Sequence, residues 1–452
     1  MGKAARPAAR RRHITSINDL ELSEIGKIFS QAESFLRTLG DPSRKWRVGK
    51  STETAKGAIL ATLFYEPSTR TRLSFESAML RLGGKVISSA DPTTSSAAKG
   101  ESLADTVRIV ENYADLLVIR HPRDGAARLA AEYAHVPVIN AGDGAHEHPT
   151  QTLCDLFTLR RAHKTIRNLN VALTGDLKTS RTIHSFVYAL ARHGANILTM
   201  PAKGMELPEH VAWRLEHEFR SRLLPKAEQG EGFDAVYVTA NRPHQLALIP
   251  TGKNIDVMYV TRFQKERWAE ARGDYPTIDA DFLKAEKYSH TSVLHPLPRV
   301  GELDTALDSD RRALYFQQAA YGIPVRMALI AALLGRARKN SLEKFPGGFR
   351  AERTPLYDQP TETGIRCANP NCIVHDAMER KYTRNKFHVI GGARLRCFYC
   401  ETDILEFVAA NRTSGEFTEQ APKSLKDTLF FASAADAQAA GFRPARKLAA
   451  HA

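Results

Sequence analysis

Residues 68–72 read Ser-Thr-Arg-Thr-Arg, which puts three hydroxyls and two guanidiniums into five positions. The apolar, β-favouring run before them, residues 58–65, predicts a buried strand. Pro67 ends it, because proline cannot donate to a ladder. Ser68 and Thr69 stand where a helix N-cap belongs, and Leu73, Ser74, Ala78 and Leu82 recur at near-helical spacing. Gly83 and Gly84 close that helix. A strand turning into a helix here gathers backbone N–H groups, hydroxyls and guanidiniums in one small volume, which suits a phosphate. A capped surface helix is the plainer reading, but two arginines in a first turn oppose the helix dipole. An anion is therefore expected at the site.

Cysteines supply the second constellation. Cys367 and Cys372 form one pair and Cys397 and Cys400 another, 25 positions apart, in a chain with only Cys154 besides. That spacing predicts a closed tetrahedral zinc site of four thiolates rather than disulfides. Few apolar residues surround them, so the metal is expected to supply much of the local folding energy.

Alternating strand and helix patterns position the first constellation. Strands are predicted at 85–88, 115–120, 137–142, 169–176, 195–200, 234–239, 256–261 and 292–298. Helices are predicted at 16–40, 101–113, 124–134, 149–162, 180–193, 208–219, after Gln264, and in a long stretch from residue 315. Such alternation means βαβ units and parallel sheets. In these sheets ligands sit beyond the C-terminal strand ends, and the polar clusters fall there: Arg120-His121-Pro122, His148-Pro149-Thr150-Gln151, Lys178 with Arg181 and Thr182, Arg262 with Gln264, and His295-Pro296-Leu297-Pro298. Arg181 and Arg262, on separate loops, suit a molecule with two carboxylates. His148 and Arg120 could donate to a developing oxyanion. With no nucleophile–base pair, carboxylate pair or glycine-rich nucleotide loop, the chemistry expected is direct transfer by positioning and electrostatics.

The chain has 452 residues and a net charge of +14, which favours an anionic partner, polymeric or small. It has room for two or three cores. No apolar run nears the ~20 residues needed to span a bilayer. The basic start, MGKAARPAARRRH, lacks the apolar core of a secretory signal; a disordered arm and a cytoplasmic location are expected.

FYEPSTRTRLSFE, IRHP, HPTQTLCDL, GDLKTSRTIHS, YVTRFQKER and HPLPR, in this order, resemble the catalytic chain of the aspartate carbamoyltransferase family over residues 15 to 338. CANPNCIVH and CFYCE resemble the zinc domain of that family's regulatory chain. The resemblance implies two parallel-sheet α/β domains of the transcarbamylase type joined by a long C-terminal helix, plus a small β-rich zinc domain. The division expected is a disordered arm (1–14), a carbamoyl-phosphate-binding domain (15–162, completed by helix 313–338), an aspartate-binding domain (163–312), a linker (339–362), a four-cysteine zinc domain (363–410) and a tail without assigned role (411–452).

By resemblance, Ser68, Thr69, Arg70 and Thr71 hold the phosphate of carbamoyl phosphate, and Thr71, Arg120 and His148 polarise its carbonyl. Gln151 and the carbonyls of Pro296 and Leu297 take the carbamoyl amide. Arg181, beside Thr182, takes the α-carboxylate of aspartate; Arg262 takes its side-chain carboxylate, steadied by Gln264. Ser95 and Lys99 belong to a loop given to a neighbouring subunit, so the family pattern implies a homotrimer with shared sites. The zinc module would serve assembly, without nucleotide allostery, since no room remains for a nucleotide domain. A dihydroorotase is a further partner the pathway suggests. The competing readings are an idle scaffold for pyrimidine-pathway enzymes, an ornithine-type enzyme, and a nucleic-acid-binding ribbon using Lys381, Arg384, Lys386, Arg394 and Arg396. Arg262 and Pro296 disfavour ornithine. Residues 241–256 have no recognised counterpart in the family; a surface insertion is expected, ahead of a segment that covers the site or repositions the Arg262 loop. The stretch 429–447 resembles a metal-binding hairpin of DNA alkylation-repair proteins, but lacks its cysteines.

Overall fold

A computed structural model describes residues 12–40, 50–89, 99–163, 165–221, 223–224, 234–238, 255–262, 277–336, 360–391, 393–419 and 427–445. The basic arm up to residue 11, Ser95, Gln264 with the helix expected after it, most of the insertion at 241–256 and most of the linker lie outside these residues.

The first lobe is built on four parallel strands, β1 (Ile59–Phe64), β2 (Lys85–Ser89), β3 (Leu116–His121) and β4 (Val138–Asp143), in the order β2-β1-β3-β4. Helices α1 (Leu22–Leu39), α2 (Thr69–Arg81), α3 (Leu103–Val110), α4 (Ala126–Tyr133) and α5 (Pro149–His163) accompany it. The second lobe holds six parallel strands: β5 (Asn170–Gly175), β6 (Asn196–Pro201), β7 (Leu223–Leu224), β8 (Ala235–Val238), β9 (Val257–Val260) and β10 (Ser292–Leu294). Their order is β10-β9-β8-β5-β6-β7. Its helices are α6 (Arg181–Arg192) and the short α7 (Glu209–Trp213).

The central strands are buried on both faces, as parallel strands between helices must be, and read as apolar runs such as ILATLF. The long helix α8 (Tyr315–Leu333) packs on α1, α2, α5 and β10. One continuous apolar cluster runs from Phe29 and Phe75 through Phe157 and Ile330 to Tyr259 and Leu294, so α8 ties the lobes into one core.

Several expected elements are shorter than their patterns; the helix expected over 16–40 begins only at Leu22, after a separate short turn at Ile17–Asp19. Residues 292–298 form a strand only as far as Leu294, because Pro296 and Pro298 lack N–H donors. The helix expected over 208–219 breaks at Trp213 into a wider turn at Arg214–Glu218, which lets buried Arg214 reach the C-terminal module.

That module begins inside the expected linker. Strand β11 (Thr361–Glu362) joins β12 (Lys386–Ile390), β13 (Arg394–Cys397) and β14 (Asp403–Ile404) in an antiparallel sheet. The described part of the tail is structured too: β15 (Val408–Asn411), β16 (Glu416–Thr418), β17 (Thr428–Phe431) and β18 (Arg443–Pro444) form a second small sheet capped by helix α9 (Ala434–Ala439). Among the described residues no helix is long and apolar enough to cross a membrane.

Candidate active site

Strand β1 delivers Glu66 and Pro67 to its C-terminal end, and α2 starts at once with Ser68 as N-cap. The Ser68 hydroxyl makes no cap bond to its own helix, and no acid stands in the first turn. The ends of β3, β4, β9 and β10 and the start of α6 bring their polar clusters to the same cleft. It encloses a cavity of about 510 Å³, lined by Ser68, Thr69, Arg70 and Thr71, by Arg120, His148 and Gln151, and by Arg181, Thr182, Arg262, Pro296 and Leu297. Lys99 does not line it; it is exposed on the turn before α3.

Three of these side chains converge over Gly142. A Cβ there would lie 3.1 Å from Arg120 Nη1, 3.3 Å from His148 Cδ2 and 3.5 Å from Arg181 Cζ, and the backbone has φ +113°. Only glycine combines that conformation with that closeness.

The cavity is strongly cationic. The Arg70 guanidinium is depressed by burial and by the charge of Arg262 from the other lobe. His148 is pressed well below the usual histidine range by burial and by Arg120, Arg181 and Arg326, so its imidazole is neutral at pH 7. The Gln151 N–H points at His148 Nδ1 (3.4 Å), which leaves the proton on Nε2 as a donor.

Glu66, next to Pro67, was overlooked among the sequence's site candidates. Its carboxylate accepts from Arg120 Nη2 (2.8 Å) and is bidentate with Arg181 (2.8 and 2.9 Å). Burial alone would push its carboxyl up; the bonds and charge of Arg181, then of Arg120, overrule that and hold it at about 2. The signal was an acid directly before a cation-rich loop. Arg326 of α8, also lining the cavity, donates to Ser74 Oγ at 3.0 Å. Asp155, one helical turn beyond Gln151, is fully buried beneath the cavity. Burial pushes its carboxyl up to about 7, against the pull of bonds from Gln318, Gln151 and Tyr259.

The four C-terminal cysteines come together as their spacing predicts. Cys367 and Cys400 Sγ lie 3.5 Å apart, Cys372 and Cys397 Sγ 3.9 Å, and all four are buried within 4.8 Å of one another. The Cys372 thiol is pushed up by its sulfur neighbours, a repulsion that a bound cation would cancel.

The module is docked on the lobes rather than loosely tethered. Ile365, Ile373, Phe387, Leu395 and Tyr399 share a core with Leu103, Leu129 and Ala130 of the first lobe. The expected shortage of apolar burial is met by this shared surface. Asp124 accepts from Asn369 and Asn371, both at 2.8 Å, and Glu379 accepts from the Leu103 N–H at 2.5 Å. Three of the five basic residues that a nucleic-acid ribbon would need are spent inside the chain, while Lys381 and Arg384 stay exposed. Arg394 pairs with Glu209 and Asp403, Arg396 with Glu218 and Asp403, Lys386 with Glu132, and Lys381 lies 3.9 Å from Asp105.

Glu401, following Cys400, pairs with Arg128 (2.9 Å) and Arg214, with His146 3.8 Å away. His146, Glu147 and Glu401 lie close enough to hold a metal. Arg128 and Arg214, both bound to Glu401, already supply the positive charge here and would repel a cation placed among these groups, while Asp143, Glu401 and Glu147 raise His146 well above its usual range despite its burial. The cluster is an ion-pair network.

Family models match in three places: the carbamoyl-P binding domain of aspartate/ornithine carbamoyltransferase over residues 12–161, the Asp/Orn binding domain over 167–333, and the metal-binding domain of the aspartate carbamoyltransferase regulatory chain over 361–408. The chain is 42% identical over 332 residues to an aspartate carbamoyltransferase catalytic subunit from Thermoplasma acidophilum, covering 72% of this chain and 99% of the relative. A catalytic subunit from Thermococcus gammatolerans is 44% identical, with 72% and 98% covered. Among solved structures, the catalytic subunit of M. jannaschii aspartate transcarbamoylase superposes with a TM-score of 0.58 at 39% identity, covering 72% of this chain and 99% of that one. Aspartate transcarbamoylase from Trypanosoma cruzi, in complex with carbamoyl aspartate and phosphate, gives 0.58 at 33%, with 72% and 96% covered.

Proposed function

The chain belongs to the aspartate/ornithine carbamoyltransferase family, and from that premise we propose that it transfers the carbamoyl group of carbamoyl phosphate to the α-amine of L-aspartate, a reaction of pyrimidine biosynthesis. The amine nitrogen bonds to the carbonyl carbon, the bond from that carbon to the phosphate oxygen breaks, and N-carbamoyl-L-aspartate and phosphate are released. The observation that carries this reading is Arg70 facing Arg262 across one cavity, each lobe supplying a cation that repels the other. A phosphate compound beside a diacid relieves that repulsion. The side-chain ammonium of ornithine would add to it.

Ser68, Thr69, Arg70 and Thr71 take the phosphate at the start of α2. Arg120, Thr71 and the Nε2–H of neutral His148 meet the charge that grows on the carbonyl oxygen. Gln151 and the carbonyls of Pro296 and Leu297 receive the carbamoyl N–H groups. The α-carboxylate of aspartate goes to Arg181, beside Thr182, and displaces Glu66; the side-chain carboxylate goes to Arg262. Holding both reactants in one enclosed volume supplies much of the rate enhancement, and the departing phosphate accepts the proton of the amine.

A homotrimer is the assembly we favour. Strand β2 is an edge strand with no residue fully buried, and Leu73 and Leu80 of the neighbouring α2 and Ile87 are 50%, 57% and 39% exposed. An unpaired edge beside apolar side chains suits a second copy, to whose site Lys99 would be given. The cysteine module fits zinc: four thiolates at about 2.3 Å from a tetrahedral ion stand about 3.8 Å apart, against the 3.5 and 3.9 Å of the two close pairs.

The test is carbamoyl-aspartate formation by the purified chain, with ornithine as the alternative acceptor. Arg262→Ala is expected to lower kcat/KM for aspartate by about 10³-fold. Turnover of ornithine in place of aspartate, or Arg262→Ala kinetics equal to the parent's, would reject the reading.

A further inference from the structure

Three hydrogen-bond donors converge on Asp155, which is 1% exposed. Gln151 Nε2 donates to its Oδ1 at 2.8 Å, Gln318 Nε2 to the same oxygen at 2.7 Å, and the Tyr259 hydroxyl to Oδ2 at 2.9 Å. A carboxylate accepts at both ends and so answers all three.

The consequence lies on the far side of each amide. With Nε2 of Gln151 turned down to Asp155, its oxygen is the end left for the cavity it lines. Gln318 is fixed in the same sense, because its oxygen accepts the His295 N–H at 2.9 Å. His295 in turn accepts the Leu297 N–H on Nδ1 at 2.8 Å and is bound through Nε2 to Glu302 at 2.8 Å. The turn that carries the Pro296 and Leu297 carbonyls is thus anchored back to the same carboxylate.

We propose that Asp155 is a positioning residue that sets the polarity of this wall: it turns Gln151 and the 296–297 turn so that they offer acceptors alone, and thereby selects a carbamoyl group over an acyl group of similar size. The inference rests on the reading of the preceding subsection. An –NH2 group satisfies such acceptors. A methyl group leaves them unpaired and buried, a mismatch that discriminates far more strongly than a difference in shape. Without Asp155, Gln151 is free to flip, and its –NH2 would then oppose the carbamoyl –NH2.

Two acyl phosphates, carbamoyl and acetyl phosphate, with aspartate as acceptor at pH 8, test this. Asp155→Leu removes both acceptors and keeps the branched shape, although its two methyl groups are bulkier than the oxygens they replace. It is expected to lower the carbamoyl-to-acetyl ratio of kcat/KM about tenfold or more, with inhibition by inorganic phosphate unchanged. Asp155→Asn keeps an oxygen for both amides and should retain most of the ratio. Gln318→Met, measured alongside, cuts the arm to His295 alone and should lower the ratio about threefold, which keeps the test decisive if Asp155→Leu does not fold. An unchanged ratio in Gln318→Met or Asp155→Leu, equal loss on both substrates, or Asp155→Asn no better than Asp155→Leu overturns the inference. Failure of the parent to carbamoylate aspartate instead rejects the functional reading beneath it.

Discussion

Two glutamates each hold an arginine of the first lobe to an arginine of the second, and they do opposite work. Glu66 joins Arg120 to Arg181 on the wall of the cavity, with its side chain 26% exposed. Glu401 joins Arg128 to Arg214 beneath the cysteine module, with its side chain 7% exposed. A ligand carboxylate can reach the first pair and replace the glutamate at little cost, because water and the newcomer share the solvation. Nothing can reach the second, so its charges stay paired or the structure opens. Glu401 also sits at φ +60°, a strained conformation for a side-chain-bearing residue. The CxxC turn places it there, and its ion pairs offset the strain. The same chemistry thus serves as an exchangeable latch in one place and a permanent fastening in the other, and access decides which.

The largest effect should come from the metal. Stripping it with a chelator is expected to release the module, uncover Arg128 and Arg214, and destabilise the chain by at least about 5 kcal/mol, or roughly 10 °C in Tm. Light scattering should find trimers or larger with metal and smaller species without it. Equal Tm and mass after complete removal would break the comparison, since Glu401 would then owe nothing to the module.

Glu401→Gln comes next. It keeps the shape but leaves two buried guanidiniums short of a charge, although Arg214 retains Glu218 at 2.8 Å. A loss of about 3 kcal/mol in unfolding free energy is expected, with kcat/KM per folded molecule within about twofold of the parent, because the residue is remote from the cavity. A variant that unfolds like the parent but turns over slowly would reverse the two roles.

The sequence carried the catalytic constellation further than it carried either glutamate. Parallel strands put their C-terminal ends on one side, so clusters such as Arg120 and His148 could be assigned to a common pole from pattern alone, and paired cysteines advertise their own meeting. Glu66 and Glu401 escaped because an acid beside a turn reads as solvated, and only three-dimensional neighbours reveal otherwise. Asp155 escaped for a related reason: its i, i+4 relation to Gln151 was legible, but Tyr259 and Gln318 approach it from distant elements. The docking of the module in cis rests on contacts between residues far apart in the chain, such as Arg214 and Glu401, 187 positions apart, which no local pattern encodes. The small sheet of β15 to β18 escaped because its strands are only two to four residues long, too short to carry a periodic signal.

The smallest effect expected is the most diagnostic for the latch. Glu66 is held at about 2 in the folded chain, below the ordinary 4.5 of a free glutamate. A depressed carboxyl stabilises the fold above its unfolded value, and that contribution drains away as pH falls from about 4.5 to about 2. Glu66→Gln removes it. The variant should be about 1 kcal/mol less stable than the parent at pH 7, and the gap should close on acidification through that window, as read from urea unfolding at successive pH values. Because Arg181 is then held less firmly, the KM for aspartate should change by only a few-fold, in contrast to Arg262→Ala. Parallel acid limbs for parent and variant would mean that Glu66 carries no charge-dependent stability, and the difference between the two glutamates would lose its physical basis.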